Sequence, residues 1–262
     1  MKFNKIKVYL RQTNTNKLNN GRPEWFDYEK IFKNLLITTN FKLADLTVCF
    51  DGTQEEYNSH YTIKYKDQFP FRVVLINTKE FNGYSYENDG SSKSGGLVAK
   101  IINNDNLPED NLIYILENDY LHQNHWVDLT LDLFNRYIGD NYYVSLYDHL
   151  DKYIFTQSEE TINSNNLEGH WRMYRDLQSK IILSSYCHWR ETPSICSSWI
   201  MSRQLFNRDY DLLSCGISDN TMCGKISELY KTKFLSPIPS LATHCQNPFI
   251  APFVDWNKII NL

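Results

Sequence analysis

The run LIYILEND occupies residues 112–119 and changes character abruptly along its length. Its first part, Leu112 to Leu116, is continuously apolar, as strands buried on both faces of a parallel sheet are. Glu117 and Asp119 follow at once, two positions apart. In open α/β sheets ligands bind beyond the carboxyl ends of the strands, where carboxylates can hold Mg²⁺ or Mn²⁺ together with a diphosphate. The run therefore predicts a buried strand ending at a binding site; the alternative is a solvated strand end followed by a turn.

The residues before this run alternate between apolar strands and amphipathic helices. Strands are predicted at Ile6 to Leu10, Leu46 to Phe50 and Arg72 to Asn77. Helices are predicted at Tyr28 to Leu36, at Thr53 to Lys66, and after the loop Gly90 to Gly96. Continuous apolar strands separated by helices form βαβ units with right-handed crossovers. We therefore predict an α/β fold with a mainly parallel central sheet flanked by helices.

The second half of the sequence is less regular. Its predicted elements are a strand at Tyr142 to Leu146, a long antiparallel strand within His170 to Trp189, and helices at Ser197 to Leu205 and Asn220 to Lys231. The proline-rich segment that closes the chain shows neither helical nor strand periodicity. No internal repeat or linker divides the sequence, so residues 1–262 are predicted to form a single domain.

Composition narrows the class of protein. The 262 residues are 42% hydrophobic and 15% aromatic, which is enough apolar surface for a large core. A formal charge of -4 gives no basic surface for nucleic acid. No segment reaches the ~20 apolar residues that span a bilayer, and the N-terminus lacks the pattern of a secretory signal. The six cysteines show no metal-binding spacing, so we expect reduced thiols in a cytoplasmic protein with at most peripheral membrane contact.

Two further segments carry candidate binding groups. Gly90-Ser-Ser-Lys-Ser-Gly-Gly96 precedes an apolar helix, and small residues there would let backbone N–H groups approach an anion. The segment lacks the Gly-Lys-Ser/Thr ending of a P-loop, and a plain flexible loop is the alternative. His244 lies in the proline-rich segment, which could fold back and bring a metal ligand to the site. The alternative for His244 is a structural histidine.

Taken together, these pieces resemble the GT-A-fold glycosyltransferases of the family 2 type, which have a Rossmann-type nucleotide-binding domain. Within that family the sequence is similar to the N-terminal transferase domain of a chlorovirus multidomain glycosylation protein. The matching residues run through nearly the whole chain: Arg11, Thr13, Asp51, Gly90 to Gly96, Glu117 to Asp119, Ser145 to His149, Trp189 to Ser194, Ser218 to Asn220, and Thr243 with His244. The resemblance implies a nucleotide-sugar-binding half at residues 1–120 and an acceptor-binding half at residues 121–262, whose C-terminal tail closes over the site.

The resemblance also implies a donor site and a metal site. The donor nucleotide sugar would be bound by Arg11, Thr13, Asp51, Ser92, Lys93, Gly95 and Asn118. A divalent ion, Mn²⁺ or Mg²⁺, would be held by Glu117, Asp119 and His244. The family's D-x-D motif has Asp at its first position and this sequence has Glu117, which makes Asp119 the principal expected ligand.

The remaining matches concern catalysis and the acceptor. Asp219 stands where the family has its catalytic base, and Asp148 is the second candidate. His149, Trp189 and Arg190 are expected to contact the acceptor. All of these residues except Arg190 have a structural alternative: Asp219 as the N-cap of the following helix, Asp148 and His149 as a hydrogen-bonded loop pair, and Trp189 as a core residue.

The predicted function is transfer of a sugar, with a UDP-sugar preferred as donor, to a hydroxyl of a glycan or glycoconjugate. The reaction is expected to be inverting, of the hexosyltransferase type, and to serve polysaccharide biosynthesis. One alternative is a nucleotidyltransferase or nucleotide-sugar hydrolase; sugar nucleotidyltransferases usually carry a glycine-rich lysine signature after the first strand, where this sequence has RQTNTNKLNN at residues 11–20. The other alternative is a non-catalytic nucleotide- or carbohydrate-binding module.

Overall fold

The computed structural model describes residues 2–14, 21–82, 90–153, 178–196, 198–216 and 218–262. The strands are β1 (Lys5–Thr13), β2 (Ala44–Asp51), β3 (Phe71–Ile76), β4 (Asn111–Glu117), β5 (Tyr120–His122), β6 (Tyr142–Val144), β7 (Ile181–Leu183), β8 (His188–Thr192), β9 (Ser198–Ser202), β10 (Lys233–Ile238) and β11 (Ala242–His244). The helices are α1 (Tyr28–Thr38), α2 (Gln54–Asn58), α3 (Gly90–Asn104), α4 (Trp126–Leu133), α5 (Arg203–Ser214), α6 (Asp219–Tyr230) and α7 (Trp256–Ile260). Shorter helical turns lie at Tyr61–Tyr65, Thr78–Glu80, Phe134–Ile138 and Leu150–Lys152.

The main sheet joins strands from both halves of the sequence. In the described residues its order is β3-β2-β1-β4-β9-β6-β10-β8-β7, and β5 pairs with β11 in a separate two-stranded sheet. Strands β3, β2, β1 and β4 are mutually parallel, and β9 is antiparallel to both β4 and β6. Strand β10 is parallel to β6, and β8 is antiparallel to its neighbours β10 and β7. Only β8 and β9 thus run against the other described strands of this sheet, which confirms the predicted mainly parallel α/β fold.

Helices cover both faces of the sheet because the strand side chains alternate between two apolar clusters. Val8 and Leu10 of β1 belong to the cluster that includes Leu35 of α1. Tyr9, between them, belongs to the cluster that includes Val98 of α3. This arrangement leaves the strand ends, rather than the faces of the sheet, as the place for a ligand.

The carboxyl ends of the first parallel strands meet at one edge. Arg11 lies opposite Glu117 in the β1–β4 pair, and Thr13 lies opposite Asp51 in the β1–β2 pair. The register therefore brings four of the predicted site residues to the same edge of the sheet.

The predicted helix at Ser197 to Leu205 is wrong. Ser198–Ser202 forms β9, which lies between β4 and β6 and is buried at every residue. A strand buried on both faces has no apolar period, so its sequence resembles part of a buried helix. Helix α5 begins only at Arg203, where Ser202 is the N-cap and its hydroxyl accepts a hydrogen bond from the Leu205 N–H at 3.1 Å.

The C-terminal segment is more regular than its sequence predicts. It contains β10, β11 and α7, and β10 lies inside the main sheet despite Pro237. Pairing between β10 and β6 ends at Leu235, so the missing N–H of Pro237 removes no hydrogen bond to β6. Because proline is rare in the inner strands of a sheet, the sequence pattern did not predict β10.

Two other predicted elements differ in extent. The helix expected at Thr53 to Lys66 is two short pieces, α2 and the turn Tyr61–Tyr65. A long strand was expected within His170 to Trp189, and residues 170–177 of it lie outside the described residues. After residue 177 the structure has two short strands, β7 and β8, which form an antiparallel pair with Ile182 opposite Trp189. In the described residues, no helix has the length and apolar character needed to cross a membrane.

Candidate active site

An ion pair joins the ends of β1 and β4. The Arg11 guanidinium contacts Oε1 of Glu117, and both side chains are largely buried. Burial raises the pKa of Glu117; Arg11 opposes that rise, while the nearby charges of Asp119 and Asp219 add to it. Glu117 thus faces both aspartates, but its carboxylate is already paired with a cation.

Asp119 is the centre of the site. Its Oδ2 lies 3.1 Å from Nε2 of His244 and 2.8 Å from a guanidinium nitrogen of Arg22. Its Oδ1 is buried and has no hydrogen-bond partner among the described residues. Burial alone would raise the pKa of Asp119, but His244 and Arg22 outweigh it and hold that pKa well below its usual range. The carboxylate is therefore ionised, with one oxygen shared by two partners and the other without one.

His244 reaches Asp119 because the C-terminal segment folds back as β11. Strand β11 pairs with β5, which places His244 opposite Tyr120, and the two rings stack with centroids 5.2 Å apart. The backbone N–H of Cys245 donates to the carbonyl of Asp119 at 2.9 Å. Burial lowers the pKa of His244, but the Asp119 carboxylate more than offsets this, so the pKa lies above its usual value. The structure thus brings together the acidic residue and the late histidine that the sequence singles out.

The Asp119–His244 pair suits a divalent ion in part. Two ligands at right angles on an octahedral ion, each about 2.1 Å from it, stand about 3 Å apart, and the two atoms here are 3.1 Å apart. The unpartnered Oδ1 of Asp119 is a further donor, and an imidazole nitrogen favours Mn²⁺ over Mg²⁺. Among the described residues, no group of three or more His, Cys, Asp or Glu side chains is arranged to hold a metal. A metal here would need ligands from a substrate as well.

Asp219 is the first residue of α6, and its charge contributes to the raised pKa of Glu117. Its Oδ1 accepts a hydrogen bond from the indole N–H of Trp199 at 3.0 Å. Ser218, not Asp219, is the N-cap residue of α6, so the alternative reading of Asp219 as that cap is wrong. The indole N–H fixes the position of the carboxylate, and a general base needs such positioning.

Asp148 lies in a buried brace. Its Oδ1 accepts hydrogen bonds from Nε of Arg190 at 2.7 Å and from the Ser236 hydroxyl at 2.6 Å, and its Oδ2 accepts one from the Tyr153 hydroxyl. Asp148 is 2% exposed and Arg190 is 6% exposed. Both carboxylate oxygens of Asp148 are therefore engaged inside the protein, which favours a structural role over that of a base.

The predicted acceptor wall needs correction. Trp189 is fully buried in the main apolar cluster, and its indole N–H donates to the Ser184 hydroxyl at 3.2 Å. A ring without an exposed face cannot stack on a sugar, so Trp189 is a core residue, and Arg190 belongs to the brace. His149 is half-buried, with its ring 5.0 Å from that of Phe249, and its contact with the acceptor stays a prediction.

The segment Gly90 to Gly96 is the start of α3 rather than a loop. A Cβ on Gly96 would lie 2.8 Å from the Phe81 ring and 2.9 Å from the Ser214 carbonyl, and one on Gly95 would lie 3.3 Å from the Arg11 guanidinium. The glycines therefore permit close packing of a helix instead of loop flexibility. Ser94 accepts a hydrogen bond from Arg11 at 3.4 Å, which brings α3 to the site edge; Ser92 is buried and Lys93 half-buried on the same turns.

Asp51 is tied to the turn after β3. Its two carboxylate oxygens accept hydrogen bonds from the backbone N–H of Thr78 at 3.0 Å and from its hydroxyl at 2.8 Å. Asp51 thus lies at the predicted edge, beside Thr13, but also supports the backbone there. Asn118 lies half-buried between Glu117 and Asp119 in the sequence, directly after the end of β4.

Arg22 was not predicted as a site residue. It follows a polar stretch, residues 11–20, that carries no pattern showing where its end returns to the fold. In the structure Gly21, at φ +105°, accepts a hydrogen bond from the Asn247 N–H at 2.6 Å, which ties this segment to the C-terminal one. Only glycine adopts that φ readily, so Gly21 is the one sequence signal for the turn that presents Arg22.

No protein-family model and no curated protein matches the sequence. Solved structures align with this chain at low sequence identity. GalNAc-T7, solved with UDP, GalNAc and Mn²⁺, aligns with a TM-score of 0.55 at 11% identity over 92% of this chain and 44% of its own. The mannosyltransferase PcManGT from Pyrobaculum calidifontis, in complex with GDP-Man and Mn²⁺, aligns with a TM-score of 0.49 at 11% identity. That alignment covers 89% of this chain and 54% of the mannosyltransferase. The 4-diphosphocytidyl-2C-methyl-D-erythritol synthase from Anaerococcus prevotii aligns with a TM-score of 0.44 at 10% identity, over 99% of this chain and 96% of the synthase.

The chain spans about half the length of the first two of these structures. At 11% identity the GalNAc-T7 alignment shows a shared fold and nothing finer. The fold is therefore GT-A-like, which confirms the coarser part of the resemblance read from the sequence.

Proposed function

We propose that this protein is a metal-dependent glycosyltransferase that moves a sugar from a nucleotide-diphosphate donor to a hydroxyl of a glycan or glycoconjugate. The observation that carries the proposal is the Asp119–His244 pair just beyond the carboxyl end of β4, where one buried carboxylate oxygen has no partner in the part of the chain that the structure describes. Such a pair at this edge of a GT-A-like sheet suits a cation that a diphosphate shares. Within this fold we place the chain with the family 2 type and its chlorovirus relative, on the residues quoted from the sequence.

The donor would lie along the ends of β1, β2 and β4. Thr13 and Asp51, opposite each other in register, would contact the nucleoside, for which uridine is our preferred base. Arg11, held by Glu117 and Ser94, would direct its guanidinium toward the phosphates. Ser92, Lys93 and Gly95, on the first turns of α3, and Asn118 would complete the donor site.

Asp119 and His244 would hold the divalent ion, and Glu117 would act through Arg11 rather than as a direct ligand. When bound, the ion supplies charge stabilisation for the departing diphosphate. The nitrogen ligand makes Mn²⁺ the preferred ion and Mg²⁺ the substitute. The Asp119 carboxylate suits this role because it stays ionised across the physiological pH range.

Asp219 would act as the general base of an inverting transfer. The acceptor hydroxyl would give its proton to the Asp219 carboxylate as its oxygen bonds to the anomeric carbon. The bond from that carbon to the diphosphate oxygen breaks, and the electron pair leaves with the nucleoside diphosphate. General-base help of this kind is worth about 10²- to 10⁴-fold in rate. The indole N–H of Trp199 would hold the carboxylate in position.

The proposal extends to a cytoplasmic enzyme of polysaccharide biosynthesis that acts on hexosyl donors, formed as a single domain from residues 1–262. Residues 1–120 would bind the nucleotide sugar. Residues 121–262 would receive the acceptor, with His149 as its expected contact.

A thermal-shift panel tests donor binding. UDP- and GDP-sugars are added with Mn²⁺, with Mg²⁺ and with EDTA, and a ligand at 100 times its Kd should add about 2.7 kcal/mol of stability to the native state. We expect stabilisation by a UDP-sugar with Mn²⁺ and a smaller effect in EDTA. If free sugars stabilise the protein and nucleotides do not, the protein is instead a carbohydrate-binding module. Nucleotide-sugar cleavage that is indifferent to any acceptor would indicate a hydrolase.

A further inference from the structure

A guanidinium occupies part of the space around the proposed metal ligand. A terminal nitrogen of Arg22 lies 2.8 Å from Oδ2 of Asp119, and the two side chains are only 10% and 9% exposed. The other terminal nitrogen donates to the carbonyl of Cys245 at 2.8 Å. The guanidinium also lies 4.6 Å from the centre of the Phe26 ring. Arg22 is thus held on several sides with its charge directed at Asp119.

In this arrangement a divalent ion and the Arg22 guanidinium would compete for the Asp119 carboxylate. A divalent ion on Asp119 would stand within a few ångströms of a buried guanidinium, where water and salt screen little of the repulsion. His244 adds to the competition because its Nε2 contacts the same oxygen as Arg22. Before any ion binds, however, Arg22 compensates a buried carboxylate that would be costly to leave unpaired.

We propose that Arg22 is a built-in counter-cation of Asp119, which neutralises the carboxylate in the metal-free protein and weakens divalent-ion binding until a diphosphate enters. This inference rests on the proposed function for the role of Asp119 as a metal ligand. The diphosphate brings the negative charge that lets the ion and Arg22 remain together. Metal and nucleotide therefore bind cooperatively, and each raises the affinity for the other by the same factor.

A purely structural role for Arg22 predicts the opposite result. Arg22 bonds to Cys245, next to His244, so a variant that only loosened the C-terminal segment would misplace His244 and weaken metal binding. A counter-cation, when removed, strengthens metal binding. The sign of the change in Mn²⁺ affinity separates the two roles.

The experiment measures Mn²⁺ binding to the full chain by electron paramagnetic resonance, without nucleotide and with UDP. The variants are Arg22→Gln, which removes the charge, and Arg22→Lys, which keeps it. Arg208→Gln is the matched control, because Arg208 is also paired with a buried aspartate, Asp209, at 2.7 Å. We expect Arg22→Gln to bind Mn²⁺ about tenfold more tightly without nucleotide, a change of about 1.4 kcal/mol, and to gain less from UDP than the wild type does. Arg22→Lys and Arg208→Gln should stay near the wild type.

Unchanged or weaker Mn²⁺ binding by folded Arg22→Gln would overturn the proposal, and so would a lack of Mn²⁺ binding in every variant. Nucleotide binding measured in EDTA then shows separately whether the donor site of the proposed function stands. If Arg22→Gln fails to fold, the double variant with Asp119→Asn decides. Recovery of folding would support the counter-cation role, since both buried charges are then gone, and continued unfolding would overturn it.

Discussion

The Nε2 atom of His244 lies 3.1 Å from Oδ2 of Asp119, although 125 positions separate the two residues in the sequence. The contact joins the residues that directly follow β4 to the last residue of β11. It also makes the site sensitive to pH, because the histidine gains a carboxylate partner only in the folded protein.

The metal-free protein should lose stability as the pH rises. The pKa of His244 is raised in the folded state, so protonated His244 contributes stability that is fully present below its unfolded pKa of about 6.5 and is lost as the pH passes the folded value. Asp119, whose pKa is lowered, contributes no change in this range. The difference in melting temperature between wild type and His244→Gln in EDTA should therefore shrink as the pH rises above about 6.5. A difference that stays constant as the pH rises would contradict the ion pair.

Asp219→Asn should depress turnover while sparing donor binding and stability. We expect kcat to fall by about 10²- to 10⁴-fold because the amide accepts no proton. The N-cap position of α6 belongs to Ser218, so the melting temperature should change little. Trp199→Phe is a companion variant, which removes the indole N–H but keeps an aromatic ring, and it should lower kcat less. A folded Asp219→Asn protein with near-normal turnover would remove Asp219 from the reaction.

The Asp148–Arg190 pair should matter for stability. Arg190→Met leaves a buried carboxylate unpaired and should cost about 3 to 5 kcal/mol in urea unfolding. Combining it with Asp148→Asn should recover part of that loss, because the uncompensated charge is then removed. Donor affinity per folded molecule should stay unchanged. A loss below about 1 kcal/mol for the single variant would argue against the brace.

Three glycine-to-alanine changes should separate packing from helix propensity. Gly96→Ala places its Cβ 2.8 Å from the Phe81 ring and should destabilise by about 1 to 3 kcal/mol. Gly95→Ala should instead weaken donor binding, because its Cβ meets the Arg11 guanidinium at 3.3 Å, which can move. Gly224 lies in α6 with open space around it, so Gly224→Ala should stabilise by about 0.5 to 1 kcal/mol. Chemical denaturation and a nucleotide titration measure all three, and equal effects on stability would contradict this assignment of α3.

The sequence predicted the parallel half of the sheet because apolar strands such as Leu112 to Leu116 leave a strong local pattern. It also placed Asp119 and His244 as partners through the resemblance to a family, which local patterns alone do not provide. Arg22 escaped notice because its position depends on where a polar segment returns to the fold. Trp189 was expected at a surface because an aromatic residue beside an arginine has the same sequence pattern in a sugar site and in a core. Strand β9 was misread because burial on both faces removes the period that distinguishes strand from helix.

The most direct test of the central claim is sugar transfer itself, measured as acceptor-dependent release of nucleoside diphosphate from UDP- and GDP-sugars with Mn²⁺. Wild type, Asp119→Asn and the control Asp45→Asn are compared; Asp45 pairs with Lys5 on a more exposed part of the sheet. We predict acceptor-dependent release by wild type and Asp45→Asn, and a loss of at least about 10²-fold in Asp119→Asn, since that variant loses an ionised metal ligand. Equal release by folded Asp119→Asn, or no acceptor-dependent release from any donor by a wild type that binds nucleotide, would contradict the assignment of this site to glycosyl transfer.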